Sequence, residues 1–191
     1  MNKETLDRRV RKTRRQLRLA LATLMQQKPV QKITVRELAD MVDINRATFY
    51  LHYKDVFDLL HQIEDDMFQE FNRIIQEHQP RVETEGILPM LTAIFSLMEE
   101  NADMAKALLS ANGDLSFVNQ LKDTLRRECL SYYMSAKKQI DSKHFDYSFS
   151  YMVSGCIGLF QLWLDTGMQE SCEHMAKLTE QLVMHGAKLA I

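Results

Sequence analysis

Residues 33–60 read ITVRELADMVDINRATFYLHYKDVFDLL, and this stretch decides the fold. Thr34-Val-Arg-Glu37 puts a hydroxyl three residues before a carboxylate. That spacing lets the Thr34 side chain accept from the third amide of a helix while Glu37 reaches back to the amide of Thr34. A short helix therefore starts here, with Val35, Leu38, Ala39 and Val42 on its inner side. Asp43-Ile44 makes a turn, and Asn45 caps a further helix running to about Leu51. Asp55 then caps a long helix that ends before Pro80. Its apolar stripe is Val56, Leu59, Leu60, Ile63, Met67, Phe71, Ile74 and Ile75. Two short helices joined by a tight turn, with a long helix after them, have the layout of a helix-turn-helix.

Upstream, residues 7–27 show helical spacing of Val10, Leu17, Leu21, Leu24 and Met25, and Pro29 ends the run. Arg8, Arg9, Arg11, Lys12, Arg14, Arg15 and Arg18 crowd the rest of that surface. The net charge of the 191 residues is −2, but it is unevenly spread. Residues 1–54 carry 13 Lys/Arg against 5 Asp/Glu, a net of +8, and residues 55–191 a net of −10. A basic end on an acidic body fits a molecule that offers one end to a polyanion. Charge alone fits a solvated basic helix equally well.

Downstream, the polar stretch 80–86 reads as a linker. Helices follow at about 87–100, 102–111, 114–138, 144–166 and 172–189, with Asn112-Gly113-Asp114 between the second and third and Gly167 closing the fourth. No segment alternates as a half-buried strand would, and there is no internal repeat. The expected fold is all-α. A three-helix helix-turn-helix domain spans residues 1–54, a long helix over 55–79 links it onward, and a helical bundle for effector binding and dimerisation spans 80–191. Three cysteines without a CxxC pair, and a charged start without an apolar signal core, point to a reduced, cytoplasmic protein. No apolar run is long enough for a membrane span, and no membrane partner is expected.

The helix-turn-helix carries donors in a particular order. Asn45, Arg46, Ala47 and Thr48 form the first turn of its second helix, the turn that meets base edges when such a helix enters the major groove. A guanidinium fork such as that of Arg46 fits guanine O6 and N7, and Ala47 and Thr48 are small enough to meet a thymine methyl. Thr34, Arg36, Tyr50, His52 and Lys54 are donors of the kind used on phosphate oxygens. A merely solvated helix leaves unexplained why donors cluster on this hairpin while Phe49 and Tyr53 supply bulk between them.

Residues 33–60 resemble the signature of the TetR family, T-x-x-x-I-A-x-x-A-G-V-S-x-x-T-x-Y-x-H-F-x-x-K-x-x-L, at Thr34, Leu38, Ala39, Ile44, Thr48, Tyr50, His52 and Tyr53. The resemblance implies DNA contacts at Thr34, Arg36, Arg46, Ala47, Thr48, Tyr50, His52 and Lys54, with Leu51 in van der Waals contact only. The usual turn glycine is Asp43 here, and Asp accepts left-handed backbone better than most residues. The family's lysine three places after the Tyr53 position is Val56 here, and the lysine falls instead on Lys54.

The pattern Tyr151-x-x-x-Gly155-x-x-Gly158-x-x-x-x-Trp163-x-x-x-Gly167 is similar to that of a subgroup of TetR-family C-terminal domains. The segment from Phe145 to Leu164 is apolar nearly all round, so one face needs a cover. Gly155 and Gly158 permit close approach. With Leu162, and with Met175 and Leu182 of the last helix, they are expected to build a four-helix bundle across a two-fold axis. Burial within one monomer is the alternative.

The function expected is that of a sequence-specific transcription regulator, a repressor released by an effector. A homodimer would bind duplex DNA at a near-palindromic operator. The alternative is an activator gated by a protein partner. Nine of the 12 Met lie in residues 55–191, with Phe95, Phe117, Tyr132, Tyr133 and Phe160. They suit an adaptable effector pocket or an ordinary core. His61-x-x-Glu64, His174 and His185 lack metal spacing, and no metal or other cofactor is expected. With no glycine-rich phosphate loop, HExxH or GxSxG, the chain is not expected to be an enzyme.

Overall fold

The computed structural model describes residues 3–78, 86–110, 112–113, 115–135 and 142–189. The expected linker over 80–85, Asp114 as a cap and the 136–138 end of the seventh helix lie outside them. So do the side chains of Tyr132, Tyr133 and His185. Among the described residues there are α-helices and one short 3-10 turn, and no strand.

The helices are α1 (Lys3–Met25), α2 (Val35–Val42), α3 (Arg46–Tyr50), α4 (Val56–His78), α5 (Leu88–Glu100), α6 (Ala102–Leu109), α7 (Leu115–Ser135), α8 (Ser142–Asp165) and α9 (Cys172–Leu189). α1 starts at Lys3 rather than at residue 7, and it gives out at Met25 rather than at residue 27. Gln27 and Lys28 both donate to the Leu24 carbonyl, at 3.0 Å each, and this closes the helix early. Pro29 then opens the 3-10 turn Val30–Lys32, a feature the helical spacing did not announce.

The chain forms two compact units. The first holds Met1–Met67 together with Asp103–Asp114. Leu17, Leu21 and Met25 of α1, Leu38 and Ala39 of α2, Phe49 of α3 and Leu59, Leu60 and Ile63 of α4 are buried there. Burying a Leu or Phe side chain contributes about 1.5–3 kcal/mol, so positions such as these carry much of the stability of this first unit, the head of the chain.

The second unit holds Phe68–Ala102 and Leu115–Ile191. Its centre is aromatic. Phe95 of α5 meets Phe160 of α8 at 4.2 Å between ring centroids and meets Trp163 edge-on at 5.2 Å. The Trp163 indole N–H donates to the Glu170 carbonyl at 2.9 Å, so the buried ring has its polar atom satisfied. Gly167 stands at φ +83°, and the Met168 amide reaches back to the Trp163 carbonyl at 2.8 Å. That is a Schellman ending, the role expected of this glycine.

Candidate nucleic-acid interface

Each turn of the hairpin is closed by a side chain drawn from its own few residues. At the start of α2, the Glu37 amide donates to Thr34 Oγ1 at 3.2 Å, and the Thr34 amide donates to Glu37 Oε2 at 2.9 Å. The capping box is complete. The Thr34 hydroxyl also donates to Glu37 Oε2 at 2.9 Å, so its single hydrogen is already committed within the protein. Lys28 Nζ donates to the other Glu37 oxygen. This Lys28 bond first, and then the Thr34 amide, holds the Glu37 carboxyl down at about 2.

α2 ends on Asp43, whose φ of 55° and ψ of 51° are left-handed. The Ile44 amide returns to the Ala39 carbonyl at 3.0 Å, the same Schellman closure that Gly167 makes elsewhere. Asn45 Oδ1 accepts from the Ala47 amide at 2.9 Å and starts α3. Beyond α3, Asp55 accepts from the Asp58 amide at 2.8 Å, while Asp58 accepts from the Lys54 amide at 2.7 Å. These two bonds fix the junction into α4, and the Lys54 amide is the main reason the Asp58 carboxyl titrates low.

With the turns fixed, the expected DNA contacts fall on one short segment. Phe49 and Tyr53 are buried, their rings 5.6 Å apart, and anchor α3. Thr34, Arg36, Asn45, Arg46, Ala47, Tyr50 and Lys54 are exposed, and Thr48 and His52 are half-buried. Leu51 is 80% exposed. Arg46 and Lys54 make no ion pair among the described residues. Arg36 does: it reaches Asp40 at 3.5 Å. His52 titrates below the usual histidine value because it is partly desolvated and because Arg14 lies near it. The Asp58 bond could have been foreseen from the Asp-x-x-Asp spacing. The Lys28–Glu37, Arg36–Asp40 and Arg14–His52 relations were not read from the sequence.

A second surface lies in the other unit. Along α8, Tyr147, Tyr151, Gly155, Gly158 and Leu162 are exposed at helical spacing, and Leu162 is 62% exposed. On α9, Leu178 and Leu182 are exposed, Leu182 at 53%. A Cβ at Gly155 or Gly158 would meet nothing within 4 Å. Met175, expected on the same face, is only 6% exposed. Its side chain is buried by its own chain, which withdraws it from any surface offered to a partner.

Phe95, Phe117 and Phe160, weighed as pocket lining, are buried core side chains. A groove of about 340 Å³ opens instead beside α7 and α8, lined by Lys122, Arg126, Asp146, Phe149, Ser150, Val153 and Ser154. Arg126 bridges the two helices to Asp146 at 2.6 Å. Cys129 and Cys156 are half-buried free thiols pushed up to about 11 by burial. Among the described residues no His, Cys, Asp and Glu side chains group as a metal site, and no helix is long and apolar enough to cross a membrane.

Comparison with known proteins gives the hairpin its context. A sequence family described as "Transcriptional regulator C-terminal region", of the TetR type, matches residues 85–185. The nucleoid occlusion factor SlmA of Marinomonas sp. (strain MWYL1) is 30% identical over 99 residues, covering 50% of this chain and 49% of that protein. The chain thus spans about half the length of that relative. The TetR transcriptional regulator from Streptococcus agalactiae 2603V has a similar structure, with a TM-score of 0.58 at 23% identity, covering 95% of this chain and 99% of that one. The fatty acid degradation regulator FadR from Bacillus halodurans gives a TM-score of 0.66 at 13% identity, over 90% and 94% of the two chains. Those two likenesses establish the shared fold. The family match extends over more than half of the residues, and so this chain belongs to the TetR family of transcriptional regulators, which are DNA-binding proteins that act as dimers and are not enzymes.

Proposed function

We propose that this chain is a cytoplasmic, sequence-specific repressor that binds a near-palindromic operator as a homodimer and is released by a small-molecule effector. In this reading residues 1–54 form the DNA-binding domain, the helix over 55–79 links it onward, and residues 80–191 bind the effector and dimerise. The observation that carries it is Arg46: an exposed guanidinium with no ion pair among the described residues, at the first position of α3, on a segment of net charge +8. Arg46, Ala47 and Thr48 read bases, with Asn45 holding their turn. Arg36, Tyr50, His52 and Lys54 face phosphates, and Thr34 brings the first amides of α2 to the backbone.

The exposed stripe of α8 and α9, with Gly155, Gly158, Leu162 and Leu182, supports self-association. Glycine inside a helix costs roughly 0.5–1 kcal/mol relative to alanine. Two glycines with open space above them therefore make sense when a second backbone fills that space. The groove beside α7 and α8, at the small end of the size range of ligand sites, supports a small effector. Repression is the general habit of the family.

The test is a fluorescence anisotropy titration of the wild-type protein against its own upstream region and against duplexes selected from a randomised pool. Expected are a selected palindrome, a stoichiometry of one dimer per site and an affinity that falls steeply with salt. Failure to retain any duplex over a random one would overturn the reading. An effector that acts by release must bind more weakly when operator is present, by the same factor by which it weakens operator binding. Equal affinities would point to gating by a protein partner, with activation as the outcome to examine.

A further inference from the structure

We propose that Lys28, between α1 and the α2–α3 hairpin, is a positioning residue for DNA binding, because it neutralises the Glu37 carboxylate at the end of α2 that approaches the phosphates. The inference rests on the DNA-binding reading of the hairpin and adds to it a residue that no base or phosphate need touch.

Glu37 stands in a conflict. As the third residue of α2 it must stay close to Thr34 to cap the helix, and it accepts from both the Thr34 amide and the Thr34 hydroxyl at 2.9 Å. Those same residues border Arg36 and the first amides of α2, which have no intrahelical acceptor and point outward. A phosphate drawn to that helix end arrives within a few ångströms of a carboxylate. Two like charges at such range repel, and the repulsion is strongest where water is partly excluded. An ordinary capping box would thus favour the fold and oppose the ligand.

Lys28 removes the opposition. Its Nζ donates to Glu37 Oε1, the oxygen that Thr34 leaves unused. The lysine is held to this job from behind. Its amide donates to the Leu24 carbonyl at 3.0 Å, and Pro29 follows it with φ fixed at −63°. Val30 and Ile33, both buried, pin the turn that separates the lysine from α2. Lys28 is also the less exposed partner, with its side chain 28% accessible against 39% for Glu37. A lysine reaching for phosphate would extend into solvent, as Lys54 does, whereas this one folds back onto its carboxylate. The pair as a unit is neutral, and it leaves the helix end positive.

The experiment is a mutant cycle of Lys28→Met, Glu37→Gln and the double variant. Each is titrated by anisotropy against the duplex that the wild-type protein selects, across a range of salt. Glutamine can still cap, so Glu37→Gln should fold and bind at least as tightly as wild type. Lys28→Met should bind about three- to tenfold more weakly, since each half-site then faces a bare carboxylate. In the double variant affinity should return to within about twofold of wild type, with an unchanged salt slope. A purely structural pair would give no such rescue, because the double variant would keep the weakness of Lys28→Met. If Lys28 itself gripped a phosphate, the double variant would stay weak and its salt slope would fall by about two, one contact being lost per half-site. Either result overturns the proposal. Should Lys28→Met fail to fold, Glu37→Gln alone decides: binding weaker than wild type overturns it. Absence of duplex binding by the wild-type protein would instead overturn the DNA-binding reading on which this rests.

Discussion

The recognition hairpin and the outward stripe of α8 and α9 are both exposed, yet they are made of opposite materials. The hairpin shows solvent Arg46, Lys54 and Tyr50, with each turn locked by a cap. The stripe shows tyrosine, leucine and glycine on the sides of two long helices. The difference follows from the partners each surface suits. A polyanion is met by charge, which works through water and tolerates a wet interface, so the backbone beneath must be fixed in advance. A second copy of the same chain is met by dry contact, so bulk and close approach matter more than donors.

The comparison breaks most visibly at Gly158. Gly158→Leu adds bulk where the lone chain has open space, so the monomer should keep its fold while sedimentation shows the dimer lost. A single head then lacks the second half-site, and affinity should drop on the order of 10²- to 10⁴-fold. Leu162→Arg is the companion change on the same stripe and should act alike. A variant that stays dimeric and binds normally would mean the stripe serves another purpose.

A smaller effect sharpens the hairpin side. Arg46→Ala should weaken the selected site by about 1–3 kcal/mol and relax base preference at one position per half-site. Lys54→Ala should weaken every sequence alike and flatten the salt slope by about two, one contact per half-site. Competition titrations with single-base variants of the site separate the two. If both substitutions behaved the same, the division into base and phosphate readers would be wrong.

Smaller again is the contrast between two helix endings. Asp43 and Gly167 close α2 and α8 with the same Schellman bonds, both at positive φ. Asp43→Gly should stabilise the head, and Gly167→Ala should destabilise the other unit, each by about 1 kcal/mol. Thermal melting of the two variants checks the signs. The least effect is on acid tolerance. The folded Glu37 carboxyl lies near 2, below its ordinary 4.5, so its contribution is present above pH 4.5 and fades as pH falls toward 2. Acid titration of Glu37→Gln should lack that part of the loss.

Much of the hairpin was legible because its caps join residues two to four apart. Thr34 with Glu37, Asn45 with Ala47 and Asp55 with Asp58 write their hydrogen bonds into local spacing. Gly167 was legible for the same reason. What escaped lies at longer range. Lys28 meets Glu37 nine residues on, and Arg18 meets Asp66 across 48 residues at 2.9 Å. No periodicity encodes such pairs, because they depend on how helices come together. Met175 misled for a related cause. On a helix with apolar residues on two sides, spacing does not say which side the chain keeps for itself, and the structure gives Met175 to the core and Leu182 to the surface.

Trp163 has a practical consequence. It is the chain's single tryptophan, 1% exposed, with its indole N–H held by Glu170 and its edge against Phe95. The emission of the native protein therefore reports a dry, apolar setting, and it shifts to the red only when the unit around Trp163 opens. The head carries no indole at all. Circular dichroism, by contrast, weighs every helix. Melting curves followed by the two signals would coincide if the units unfold together and would part if the head lets go first. The protein carries a built-in optical label on one unit and none on the other.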